Sequence, residues 1–346
     1  MMEQRFLEEC PYKDLIVKSS WSWRDKVLAV LNVVRRWEIT EVNPKTGWCG
    51  PTRFCECYNM AFFDFDKESN IVHGPLFHDI PRSNYLGLDD SVNVISINVA
   101  QSDVRYPISI YGTVVARDAN DYRCVYLFRR GRDDPQLITR KNRTLALTGP
   151  YRALGGTDFM YFEFHLKIKG DGAVDEDFSK GLVERAAYRD ALGIPSTFTQ
   201  ESYLSTVELM CMHVPLALEA SIGVNFWNGK STFTGKVFAS TSRSCTTKMV
   251  LYDSQVAGTK TEFGSGGSVS LSRHIVAVSL GEDLLLYFYV RDSCNKSRRI
   301  KFVIGNGVEE RACNIGSYQL EVKIKWKGVF SQQRAALKHI GGQVFW

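Results

Sequence analysis

Between Phe159 and Lys169 the chain reads FMYFEFHLKIK, with Phe162, Phe164, Leu166 and Ile168 alternating against Tyr161, Glu163, His165, Lys167 and Lys169. A helix would scatter that pattern around its circumference. In a strand, a period of two lines one sheet face with apolar side chains and turns the other to water. Similar runs recur from Ser91 onward: VNVISINV (92–99), ISIYGTVVA (108–116), CVYLF (124–128) and LEVKIKW (320–326). Clusters of Gly, Pro, Asn and Asp between them read as turns. Ile95, Ile97 and Val99 are expected on one face, as are Ile108, Ile110, Val114 and Ala116, with Gly112 breaking the row at a bulge or close backbone approach. In the last strand Leu320, Val322, Ile324 and Trp326 face inward, and Glu321, Lys323 and Lys325 outward.

The strands also repeat in order. ISIYGTVVARD (108–118) has a counterpart in TFTGKVFAST (232–241), aligning Gly112 with Gly235. CVYLF matches MVLYD (249–253), TLALT (144–148) matches SVSLS (268–272), and FMYFEFHLK (159–167) matches LLLYFYVRD (284–292). The spacing of about 125 residues is the size of one β-sandwich domain. The expectation is a mainly β, antiparallel β-sandwich architecture in two similar units, about 91–200 and 205–328, with one continuous larger sandwich as the alternative. Ala186 to Leu192 reads as a short helix, Ser205 to Ala220 as a bridge between the units, and 329–346 as a C-terminal tail.

Residues 1–90 form an N-terminal extension of different character. Residues 1–20 are polar and are expected to be poorly ordered. An amphipathic helix is predicted over 22–37: Val27, Val30 or Leu31, Val34 and Trp37 recur at helical spacing and should pack inward, and Ser22 with Asp25 makes an N-terminal cap. Residues 43–90 read as an irregular connector. Cys49, Cys55 and Cys57, with His73 and His78, offer metal-ligand chemistry but lack the paired C-x2-C of zinc knuckles, and no metal is assigned. Asp64-Phe-Asp66 lacks the rest of a calcium loop and reads as a turn.

The nine cysteines are scattered and odd in number, which reads as free thiols in a reducing compartment. No apolar run approaches the roughly 18 residues of a membrane span, and the N-terminus has no signal-peptide core, so a cytoplasmic or nuclear location is expected. Charge is uneven: residues 1–90 carry 11 Lys and Arg against 14 Asp and Glu, the remainder 32 against 24. The basic excess permits an anionic partner, or serves only to keep strand faces soluble.

Catalytic signatures are missing. There is no GxSxG elbow, HExxH, P-loop or strand-linked GxGxxG, so no catalytic residue and no cofactor is assigned. His165, on the outer side of its strand, reads as exposed. Candidate ligand or partner contacts are polar groups at strand ends and in loops: Arg117, Asp118 and Asp121, then Arg129 and Arg130, and Arg152 of the segment LTGPYRAL. Asp118 and Asp121 read equally well as turn residues. Arg129, Arg130 and Arg132 crowd one predicted loop, and Arg298, Arg299 and Lys301 another. With the outward pairs Lys167/Lys169 and Lys323/Lys325, and Tyr161 for stacking, these could track RNA phosphates.

The blocks YPISIYGTVVARDANDYRCVYLFRR, LTGPYRAL, YFEFHLKIK, LSTVELM, ALEASI, MVLYDSQVAG and LSRHIVAVSL resemble, in order, a grass-enriched plant family called domain of unknown function 6598, over about residues 91–328. The family has no established activity. Some relatives carry a ribosome-inactivating N-glycosidase domain, so the resemblance implies a stress or defence setting. Here the 90 residues ahead of the β region are too few for that enzyme, and Glu184-Arg-Ala-Ala-Tyr-Arg189 has its motif in the wrong order. The expectation is a non-catalytic module with a protein or carbohydrate partner. A hydrolase or transferase with a dispersed site and an RNA- or ribosome-associated protein are the alternatives.

Overall fold

The computed structural model describes residues 19–55, 60–170, 175–186, 191–227, 231–291, 297–315 and 318–330. The expected disorder of residues 1–18, most of the helix expected near 186–192 and the tail beyond 330 lie outside these residues.

A helix, α1 (Trp23–Glu38), opens the described chain, followed by a small hairpin of β1 (Thr40–Val42) and β2 (Cys49–Pro51). Nine strands come next: β3 (Ser91–Ser102), β4 (Ile108–Arg117), β5 (Val125–Arg130), β6 (Gln136–Ile138), β7 (Leu154–Gly155), β8 (Phe159–Ile168), β9 (Glu176–Ala186), β10 (Ser196–Ser202) and β11 (Ser205–Val214). They form two sheets, ordered β10-β11-β3-β7 and β5-β4-β8-β9, with β6 added beside β4. Val94, Ile97, Val114, Phe128, Phe162, Phe164 and Leu209 meet between the sheets. Fully burying a side chain the size of Phe162 contributes about 1.5–3 kcal/mol.

Eight further strands follow: β12 (Ala217–Trp227), β13 (Gly235–Thr241), β14 (Met249–Asp253), β15 (Ile275–Ser279), β16 (Leu284–Arg291), β17 (Ser297–Ile304), β18 (Glu310–Ile315) and β19 (Tyr318–Gly328). Their sheets are ordered β18-β19-β12-β15 and β14-β13-β16-β17. They enclose a second cluster that includes Val224, Val237, Leu286, Phe288, Val322 and Trp326. Apart from β6, which has no counterpart, the two orders coincide strand for strand. The glycines coincide too: a Cβ on Gly112 would lie 2.1 Å from the His165 carbonyl oxygen, and one on Gly235 2.1 Å from that of Tyr289. Both positions exclude a side chain because the neighbouring strand's backbone occupies its space. Over its described residues the molecule is therefore mainly antiparallel β, in paired sheets behind helix α1.

Three local expectations are corrected. Ile95 does not join Ile97 and Val99 in the first core. The register with β11 slips between Met210 and Cys211, so the alternation changes phase and Ile95 joins the second cluster instead. Ser205 to Ala220 is not a bridge but the whole of β11 and the start of β12, joined by Pro215 and Leu216 alone. The segment holding Arg298, Arg299 and Lys301 is not a loop but the edge strand β17, and Arg129 and Arg130 end β5.

Helix α1 begins as read, with the Ser22 hydroxyl accepting from the Asp25 amide at 3.2 Å. Its apolar stripe, however, faces away from the extension's core: Val30, Val34 and Trp37 are exposed and Ala29 is buried. Polar contacts turn the other side inward. Asn32 accepts from the Ala61 amide, Arg36 donates to the Cys55 sulfur, and the Arg35 guanidinium lies 4.9 Å over the Phe65 ring. Among the described residues no helix is long and apolar enough to cross a membrane.

Candidate functional site

The outer face of β5-β4-β8-β9 in the first sandwich is covered by the chain's own extension. Tyr161 and Glu163, read from sequence as facing water, are buried there. Phe54 stacks on Tyr122 at 4.8 Å and tilts against Tyr161 at the same distance, while Cys55, Met60 and Phe65 complete the cover. Tyr161 is therefore not available for stacking on a base. His165 stays half exposed beside Asp177, as the strand pattern implied.

Beneath the cover lies a saturated ion-pair lattice. Arg117 grips Glu163 with Nε–Oε1 at 2.6 Å and Nη2–Oε2 at 2.8 Å, and donates also to the Tyr122 and Phe65 carbonyls. Glu163 further accepts from the Phe54 amide and from Arg53. Burial works against the Arg117 charge, yet Glu163 holds its pKa above the ordinary arginine value. One turn away, Arg152 grips Asp118 at 2.6 and 3.0 Å, and Asp118 also takes the Gly155 and Asn120 amides. Asp121 accepts from the Ser69 hydroxyl and the Arg123 amide. Of the contacts read from sequence, Arg117, Asp118, Asp121 and Arg152 are thus brought together, in a lattice that fastens the extension. Arg129 and Arg130 lie apart, paired with Glu68 at 2.7 Å and Asp134 at 3.1 Å. Arg132 pairs with Asp175, which is held well below the usual carboxylate range by Arg132 and Tyr111.

Of the two histidines and three cysteines weighed as metal ligands, those among the described residues do not converge. His73 is buried against the Ala153 carbonyl, His78 is exposed beside Glu309, and Cys57 lies outside the described residues. Among the described residues no cluster of three His, Cys, Asp or Glu side chains could hold a metal ion.

The equivalent face of the second sandwich, on β14-β13-β16-β17, is left open by the described residues. Register counted from the paired glycines sets Tyr287 where the first sandwich has Glu163, Tyr289 at His165 and Phe238 at Val115. Cations sit over these rings. The Lys248 ammonium is 4.5 Å from the Tyr287 centroid and 5.6 Å from that of Tyr289, and it donates to the Tyr289 hydroxyl at 3.2 Å. Arg299 lies 5.3 Å over Tyr289, and Lys301 lies 5.6 Å over Tyr287. Phe238 meets Tyr289 edge-on at 5.5 Å. Lys236 is neutralised by Asp253 at 2.7 Å, whereas Lys248, Arg299 and Lys301 form no ion pair among the described residues. Sequence reading named Arg299 and Lys301 but missed the rings. The signal was present: Tyr287 and Tyr289 alternate with apolar residues in LLLYFYV.

The fold and this face define a tandem antiparallel β-sandwich protein, one sandwich wrapped by an extension and the other presenting a cationic, aromatic sheet face. The chain belongs to the family of the domain of unknown function (DUF6598), whose model matches residues 91–324. No curated protein matches it. Among solved structures it is similar to the pair of C2 domains of Extended-Synaptotagmin 2, at 11% identity and a TM-score of 0.25, over 78% of this chain and 99% of that one. It is also similar to human GIVD cytosolic phospholipase A2, at 10% identity and a TM-score of 0.22, over 69% of this chain and 30% of that one.

Proposed function

We propose that the protein is a non-catalytic binding module that takes an acidic protein segment on the open face of its second sandwich. The observation carrying this reading is the set of three cations without ion pairs among the described residues, Lys248, Arg299 and Lys301, lying over Tyr287 and Tyr289. A cation over an aromatic ring is restrained without being neutralised, so less side-chain freedom is lost when a carboxylate arrives. The same arrangement weighs against stacking a sugar or a base, because the ring faces are already occupied. The stress or defence setting implied by the family resemblance belongs to this proposal, as does a location inside the cell.

Affinity capture from plant extract tests the reading. Wild type should retain an acidic partner, binding should weaken steeply as salt rises, and K248E/K301E should lose it while keeping the wild-type melting temperature. Equal capture by the charge-reversed variant would overturn it.

A further inference from the structure

Strand β17 ends its sheet, pairing in unbroken register with β16 and, among the described residues, with no other strand. Which of its backbone groups stay free follows from the next strand along. The space that a Cβ on Gly235 would need is filled by the Tyr289 carbonyl oxygen, so that carbonyl points from β16 toward β13. Backbone direction alternates along a strand, so Val290, Phe288 and Leu286 turn their N–H and C=O groups toward β17 instead. There they meet Arg298, Ile300 and Phe302. Arg299, Lys301 and Val303 therefore turn three N–H and three C=O groups to the outer edge, where none has a hydrogen-bond partner among the described residues. All three residues are exposed, Val303 at 53%, and their side chains share the outer face with Tyr287 and Tyr289.

The corresponding edge of the first sandwich, β9, is closed. The Lys180 amide donates to the Ser202 hydroxyl at 3.0 Å, and the Phe178 carbonyl accepts from the Leu204 amide and the Ser205 hydroxyl at 3.2 and 2.8 Å. A bare edge is a template for one more strand, and its side chains decide which strand is accepted. A second copy of β17 would bring its own Arg299 and Lys301, so cations would face cations across the new ladder. A strand with carboxylates at alternate positions would instead set them beside Arg299 and Lys301, which already lie over Tyr289 and Tyr287.

We propose that the acidic segment binds by adding to β17 as an antiparallel strand, with carboxylates opposite Arg299 and Lys301 and an apolar residue opposite Val303. This rests on the proposed binding of such a segment to the open face, and specifies its conformation and spacing. The probe is the peptide Ser-Val-Thr-Glu-Thr-Glu-Ser, fluorescein-labelled at its N-terminus and amidated, read by anisotropy against the full chain at low salt. In the antiparallel arrangement its Val and Glu amides face β17 and its Thr amides face away. Wild type should bind the peptide. N-methylation of the Val and Glu amides should weaken binding at least about tenfold, and N-methylation of the Thr amides should change it less than about twofold. Val303→Pro removes one edge N–H without touching the β16 ladder or any charge, so it should keep the wild-type melting temperature and bind more weakly. Should that variant melt lower, the methylated peptides on wild type decide. Equal binding of all three peptides, falling steeply with salt, would overturn strand addition and leave the acidic-segment reading standing. Wild-type affinity in a Val303→Pro variant of unchanged stability, or no binding of the unmodified peptide, would overturn strand addition too, whereas the broader reading falls only with the extract capture.

Discussion

Glu163 shows how one side chain's surroundings can reverse its reading. Alternation put it on the outer face of β8, which is correct, and an outer face ordinarily means water. The water is excluded by a segment more than 90 residues earlier in the chain, which no local pattern announces. Glu163→Gln would leave Arg117 buried without its carboxylate partner, so the expected loss is about 3–5 kcal/mol by urea unfolding. Replacing both partners with apolar residues, R117M/E163L, should recover most of it, and a double variant no better than the single would show that the pair is not the cause. At Gly235 the argument is steric. Gly235→Ala drives a methyl into the Tyr289 carbonyl and should cost about 1–3 kcal/mol, whereas Gly223→Ala meets nothing closer than 3.7 Å and should be nearly silent in the same assay. Gly112 could be singled out from sequence because it interrupts an apolar row, and its alignment with Gly235 followed from the repeat.

At the scale of elements, the extension is held by charge as much as by packing. Lys180 and Tyr203 bind the Glu41 carboxylate, and Arg53 binds Asp66 at 2.8 Å. Burial opposes the charge on Glu41, but Lys180 and Tyr203 outweigh it and hold its pKa below the ordinary 4.5. Arg53 holds Asp66 below 3.8. A carboxyl whose folded value is depressed contributes fully above its unfolded value, and that contribution fades as pH falls through the folded one. Below about pH 4.5, therefore, the β1–β2 hairpin should loosen first. A change in Trp48 fluorescence and new protease cleavage within 43–55 should precede loss of the sheet circular-dichroism signal; simultaneous loss of all three would count against a separately held extension. Glu41→Gln should remove much of the pH dependence. Helix α1 was legible in its limits and cap but not in its facing. Hydrophobic spacing alone favoured the Val30–Val34–Trp37 stripe, while the polar contacts of Asn32 and Arg36, invisible to such a pattern, point the opposite side inward.

For the whole molecule, the sequence carried the fold class and the repeat of strands, because both rest on local alternation and on spacing along the chain. It did not carry the pairing of sheet faces with their covers, or the junction, since these depend on which distant segments meet. At that junction Asn93 of β3 exchanges two hydrogen bonds with the Ala277 backbone, at 2.7 and 3.0 Å. Asn93→Leu strands both backbone groups, at about 1–3 kcal/mol each, and should split one calorimetric transition into two as the sandwiches uncouple. A single transition shifted as a whole would show that other junction contacts suffice. The strand order also dictates a timetable for synthesis. In each sandwich the first strand pairs with the last, β3 with β11 and β12 with β19. Neither sheet of that kind can close until its final strand has left the ribosome, so each half waits with open edges for more than 100 residues of translation. Because the strands of the two halves do not interleave, the first can finish before the second begins. The exposed nascent chain then belongs to one sandwich at a time, and a chaperone that shields strand edges is needed twice in succession.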